Sequence, residues 1–226
     1  MTDLSRRWPS APYVIPFAVF MLLLSVQQYI PLPQTIEFGL RCAVLAAVLW
    51  IFSRDIISFK LTRPAASFAL GLAVFLLWIG PDALIPGYRQ FWLFSNPITK
   101  YGLASSLDSS TRTDAAALFF RVVRAVILVP IIEELFWRAW ALRWAARPDF
   151  ESMPLGAYTR ASFWMVAILF GAEHGPYWEV GLICGILWNW WMGKTKSLGD
   201  LIFTHAVANG CLCAYVLIAK KWEYWM

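Results

Sequence analysis

The chain has 226 residues, 60% of them hydrophobic and only 15% charged, with a net charge of +5 and a mean hydropathy of +0.58. Soluble globular domains carry roughly 25% charged residues, so the composition excludes a water-facing surface over much of the molecule. Fourteen tryptophans fit the membrane–water interface. The basic residues gather at the ends of apolar runs, as topology signals do, which argues against nucleic acid as a partner.

A membrane-crossing helix needs about 20 apolar residues, with a range near 17–25. Runs of that kind fall near 13–30, 37–53, 64–80, 114–146, 160–174, 177–193 and 198–219. Ser5-Arg6-Arg7 faintly echoes a twin-arginine signal, but no small-residue cleavage site follows and the run ends in Gln27-Gln28-Tyr29-Ile30-Pro31. The expectation is therefore a first span with a cytoplasmic N-terminus. Arg54, Lys60, Arg63, Arg143, Arg147, Arg160, Lys194 and Lys196 fit the same side, and 81–112 forms an outer loop.

The stretch 114–146 is too long for one straight span, and Pro130 interrupts it. An elbow, or a tilted helix ahead of the one carrying Glu133, is expected there. Lys220 and Lys221 fall on the wrong side if the spans number seven; splitting 114–146 into two elements would repair this. The count is seven or eight. The chain reads as one all-α membrane domain, 1–226, with scaffold spans and a loop over 1–112 and the chemistry-bearing helices over 113–226.

Ionisable residues inside spans cost at least about 2.5–3.5 kcal/mol each at a helix centre and mark functional sites. The densest group is Pro130-Ile131-Ile132-Glu133-Glu134-Leu135-Phe136-Trp137-Arg138. Glu134 and Arg138 stand at i and i+4, glutamate first, which suits an ion pair on one helix face. Glu133 lies about 100° around the helix and is the freer carboxylate. The alternative is that both glutamates pair with arginines such as Arg121 and Arg124.

The chain has two histidines, His174 and His205, both in or at the end of apolar helices. Phe170 precedes His174 by one turn and can wall one side of its ring. His205 and Asn209 share a helix face; otherwise such an asparagine makes an interhelical hydrogen bond. Together these groups suit hydrolysis of an amide. Glu133 beside His174 would hold and deprotonate water, and His205 with Asn209 would donate to the oxyanion. Zinc held by Glu133, His174 and His205 is a second option for the same residues, although no HExxH motif is present. A proton-coupled transporter would also use buried Glu and His, but no internal repeat is visible. A non-catalytic scaffold or immunity protein is the remaining class.

Glu133-Glu134-x-x-x-Arg138, Phe170-x-x-x-His174 and His205-x-x-x-Asn209, in that order on successive apolar segments, resemble the motifs of the CAAX-protease and bacteriocin-processing (CPBP, Rce1-like) intramembrane proteases. The resemblance covers about residues 114–210. Size and Trp-rich helices are similar to the CAAX protease-related branch found beside exosortase systems. The family implies a helical bundle with a catalytic cavity open to the membrane and the cytoplasmic face. It also implies a glutamate-type peptidase with no cofactor, acting on a membrane-anchored protein or peptide, near its C-terminus in the eukaryotic members. Membrane lipids are the expected surroundings and a bacterial inner membrane the expected location; the sequence sets no oligomeric state.

The remaining polar residues have simpler expected roles. Glu173 and Glu179 flank the Gly175-Pro176 turn at an interface, with Glu173 close enough in sequence to tune His174. Ser197 and Asp200 fit a capping box, and Arg41 fits snorkelling to the interface. Cys42, Cys184, Cys211 and Cys213 lie in apolar runs without metal spacing and are expected as buried thiols.

Overall fold

The computed structural model describes residues 7–94 and 105–225. Arg6, and part of the loop expected at 81–112, lie outside these. Seven long helices account for the seven apolar runs, and no strand occurs among the described residues. In chain order they are α1 (Ala11–Val26), α2 (Gln34–Ser53), α3 (Pro64–Leu84), α4 (Ala115–Trp144), α5 (Arg160–Ala172), α6 (Trp178–Thr195) and α7 (Leu198–Ala219). Four of them, α2, α3, α4 and α7, are long and apolar enough to cross a membrane; α1 and α5 are apolar but shorter.

Local signals set the helix ends. Pro64 occupies the first turn of α3, where its missing N–H is no loss. Asp114 accepts from the N–H groups of Ala116 and Ala117 at the start of α4. Thr159 and Ser162 cap α5 reciprocally. Lys196 and Lys220 adopt left-handed backbone at the ends of α6 and α7.

Pro130 does not break α4, contrary to the elbow expected there. The helix runs on from Ala115 to Trp144 because two widened, π-type segments, Arg124–Leu128 and Glu134–Ala141, absorb the misfit on either side of the proline. The eighth element that would have carried Lys220 and Lys221 to the basic side is therefore not formed.

One hydrophobic core joins both halves of the chain: Phe20, Leu45, Leu49 and Val74 pack with Ile132, Leu135, Leu142, Phe170, Trp188 and Leu201. The outer faces are just as apolar. Leu40, Trp50, Phe68, Leu76, Phe119, Ile127, Ile168 and Ile218 are exposed, as expected of helices solvated by lipid rather than by water. Helix α3 lies so close to α7 that a Cβ on Gly71 would stand 2.7 Å from the Thr204 carbonyl oxygen; small residues permit such approach.

Two sequence expectations change here. Arg41 is buried and paired with Glu37, with Nη1 donating to Gln27 Oε1 at 3.1 Å; a partner one turn away removes the need to reach the interface. Only half of the Ser197–Asp200 capping box forms. The Asp200 N–H donates to Ser197 Oγ at 3.1 Å, but the Asp200 carboxylate turns to the start of α3. There it accepts from Thr62 N–H (2.7 Å), Thr62 Oγ1 (2.8 Å), Arg63 N–H (3.0 Å) and Ser67 Oγ (2.7 Å). The unpaired amides of another helix outcompete the local return bond. Of the cysteines, Cys42, Cys184 and Cys213 are buried, and Cys211 is half-buried.

Candidate active site

The chemistry-bearing residues come from α4, the turn after α5, and α7. Glu133 and Glu134 sit where α4 passes from regular to widened turns. Helix α5 ends at Ala172, and Gly175, with φ +53°, lets the chain reverse immediately after His174. His205 and Asn209 lie one turn apart on α7.

Glu133, Phe170, His174, His205 and Asn209 all line one cavity of about 260 Å³, together with Trp188 and Cys184 from α6. Glu134 and Arg138 lie behind its wall, wholly buried, with Arg138 Nη1 3.4 Å from Glu134 Oε1. The division between a free and a paired glutamate is thus present. The Arg138 guanidinium is also held against the rings of Phe170 and Trp188, at 4.1 and 5.3 Å from their centroids.

Each histidine is oriented by a different acceptor. His174 Nδ1 lies 2.6 Å from the Phe170 carbonyl oxygen. A carbonyl only accepts, so Nδ1 carries the proton and Nε2 is left for the cavity. The Phe170 ring stands 4.7 Å from the imidazole, and a Cβ at Gly181 would meet His174 Nδ1 at 2.9 Å. His205 Nδ1 lies 2.8 Å from Glu134 Oε1, and Trp188 covers the ring at 4.3 Å. His205 Nε2 then stands 4.0 Å from Glu133 Oε2, too far for a direct hydrogen bond.

Asn209 donates from Nδ2 to the Ala125 carbonyl at 2.8 Å. Pro130 explains this. The Val129 N–H bonds back to Arg124, five residues earlier. The next bond in that register, from residue 130 to Ala125, has no donor because proline lacks an N–H. The Asn209 carboxamide supplies the missing one, so the interhelical bond is the role formed, and one N–H and the oxygen remain for the cavity.

Arg121 and Arg124 do not neutralise the glutamates. They line the same cavity, with their guanidinium groups over Trp225 and Phe38. Glu173 accepts from Trp137 Nε1 at 3.0 Å and is an ionisable neighbour of Glu133. Glu179 pairs with Arg89 at 2.6 Å, and Arg89 also binds Asp82 and the Pro176 carbonyl. The contacts to Glu179 and Pro176 tie the segment after α3 to the turn that presents His174.

Sequence reasoning missed Trp188, Gly181 and the Ala125–Asn209 bond. Pro130 was the available signal for the last; the other two are set by a neighbouring helix. Among the described residues, no group of three or more His, Cys, Asp or Glu side chains is placed to hold a metal ion.

The family model of type II CAAX prenyl endopeptidase Rce1-like proteins matches residues 115–211, the stretch that carries all three motifs. No curated protein and no solved structure matches the chain. Residues 115–211, less than half of the chain, are thus similar to the Rce1-like family.

Proposed function

We propose that the protein is an intramembrane endopeptidase in which Glu133 activates water to cleave a peptide bond near the C-terminus of a membrane-anchored protein or peptide. The observation that carries this reading is the convergence of Glu133, His174, His205 and Asn209, from three separate segments, on one largely apolar cavity. The family match supports a protease of the CAAX type.

The 4.0 Å gap between Glu133 Oε2 and His205 Nε2 leaves the carboxylate available to a water molecule, and His174 Nε2 offers that water a second acceptor. Glu133 takes a proton as the water oxygen attacks the scissile carbonyl carbon. The oxyanion accepts from His205, whose Nδ1 is held by Glu134 and whose Nε2–H donates when the ring is protonated. The second N–H of Asn209 adds to this. Glu133 then passes its proton to the amide nitrogen, the C–N bond breaks, and a carboxylic acid and an amine leave. Glu134 and Arg138 are positioning residues.

The experiment is cleavage by the purified chain and by Glu133→Gln, with metal analysis and chelator controls alongside. Cleavage that requires Glu133 and survives chelation is expected. Stoichiometric zinc with chelator-sensitive cleavage would replace the metal-free mechanism. Cleavage that persists in folded Glu133→Gln would remove Glu133 as the base, and no cleavage by the wild-type chain would leave the scaffold or transporter readings.

A further inference from the structure

The two ends of the helical bundle differ in charge. At one end Ser53 Oγ, closing α2, donates to the Pro12 carbonyl at the start of α1 at 2.6 Å. Trp140 Nε1, late in α4, donates to Ser10 Oγ at 2.9 Å, and Ser197 Oγ, opening α7, donates to the Lys60 carbonyl at 2.9 Å. The helix ends and connections gathered here carry Arg7, Arg54, Lys60, Arg63, Arg143, Arg147, Arg160, Lys194 and Lys196. At the other end Thr35 of α2 is paired with Asp114 at the start of α4. There Asp82, late in α3, accepts from Arg89 Nε and from the Tyr224 hydroxyl beyond α7, both at 2.9 Å. Among the described residues, the helix ends and connections on this side carry Arg89, Arg112, Lys220 and Lys221, beside Asp82, Asp108, Asp114, Glu179 and Glu223.

The catalytic cavity extends from its reacting groups toward this second end. Its lining residues on α4 fall between Arg121 and Glu133, on α7 between His205 and Cys213, and on α6 between Cys184 and Trp188. On the basic side of Glu133, His205 and Trp188 the bundle is filled. Leu135, Arg138, Leu142, Met192, Leu198 and Leu201 are each 3% exposed or less. The described lining residues that lie outside the seven helices, His174, Tyr224 and Trp225, all belong to the less basic end.

Short connections rich in Lys and Arg stay on the cytoplasmic side during insertion. From the charge asymmetry and the one-sided cavity, we infer that the site is entered from the non-cytoplasmic face of the membrane. Resting on the peptidase reading above, its substrate is then a membrane-anchored protein whose cleaved segment has already crossed the membrane. This is the opposite of the cytoplasmic opening that the family resemblance implies.

The test uses the full chain in the inner membrane of a bacterial host and a small membrane-impermeant probe, a methanethiosulfonate bearing a sulfonate. Adducts are located by peptide mass spectrometry, which separates them from the natural cysteines. Val129→Cys and Leu212→Cys place thiols in the cavity wall; Lys60→Cys and Lys221→Cys mark the two ends of the bundle. In right-side-out vesicles Val129→Cys, Leu212→Cys and Lys221→Cys should react, and Lys60→Cys should react only once the vesicles are inverted. Reaction of either cavity thiol from the cytoplasmic side, or of neither from outside, overturns the inference. The reverse sidedness of Lys60→Cys and Lys221→Cys overturns it as well. Should one cavity variant not fold, the other decides. The same labelling is expected in a Glu133→Gln background, so the side of entry is read without cleavage. A wild-type chain that cleaves nothing would defeat the peptidase reading and leave the side of entry standing.

Discussion

His205 Nδ1 donates to Glu134 Oε1 at 2.8 Å, while Arg138 Nη1 approaches the same oxygen at 3.4 Å. The second glutamate therefore joins α4 to α7 and fixes which nitrogen of His205 faces the cavity. Glu133 Oε2, one residue away, has no hydrogen-bond partner among the described residues, and Glu133 lines the cavity. Adjacent carboxylates thus take different roles because of what each one meets.

Replacing Glu134 with Gln should leave the fold intact and disturb the imidazole. A carboxamide orients the ring less firmly and does not stabilise its protonated form. Cleavage should fall by a factor between about 10 and 10⁴, with near-wild-type thermal unfolding in detergent. Unchanged cleavage by folded protein would remove Glu134 from any positioning role.

Arg138→Met should destabilise the protein by about 3–5 kcal/mol, because it leaves the wholly buried Glu134 carboxylate without its arginine and with only the His205 imidazole beside it. The double variant Glu134→Gln/Arg138→Met should recover much of that loss. Denaturation midpoints of the four proteins in the cycle measure the coupling. Additive effects would contradict the ion pair.

Asn209→Ala should cost about 1–3 kcal/mol by leaving the Ala125 carbonyl unsatisfied. In a Pro130→Ala background the helix regains an N–H, so the same substitution should cost less. Equal penalties in the two backgrounds would show that Asn209 does not compensate for the proline.

Gly181→Ala should reduce cleavage more than stability. The added methyl would meet His174 Cγ and Nδ1 at 2.9 Å, and the most available response is rotation of the ring away from the Phe170 carbonyl. Loss of activity with little change in the unfolding midpoint is expected. Full activity would mean that the ring position is not critical.

Asp114 provides a pH signature outside the spans. The Thr35 hydroxyl, followed by the amides of Ala117 and Ala116, holds its carboxyl below the ordinary carboxylate value. A depressed carboxylate stabilises the fold above its unfolded value of about 3.9, and that contribution is lost as the pH falls through the lower folded value. Asp114→Asn should flatten this part of the acid unfolding profile. An identical profile would show that the cap carries no charge-dependent stability.

The helices were legible because each is announced by an apolar run near membrane length. The candidate site was legible because Glu133, Glu134, His174 and His205 stand out in an apolar chain. What could not be read were the pairings between helices. Helix α7 is apolar on nearly every side, so its periodicity does not say which face meets α4. The Glu134–His205 bond, the Asn209–Ala125 bond and the turn of Asp200 toward α3 all depend on that meeting. Arg41 was misjudged for a different reason. Its partner Glu37 lay at i−4 in plain view, but a basic residue near a helix start was read as snorkelling.

The central claim is that Glu133 is the water-activating base. It is tested most directly by the C-terminal masses of membrane-anchored proteins from cells expressing either the wild-type chain or Glu133→Gln at equal levels. The account predicts shortened C-termini with the wild type and full-length ones with the variant. The same shortened species in both would contradict it.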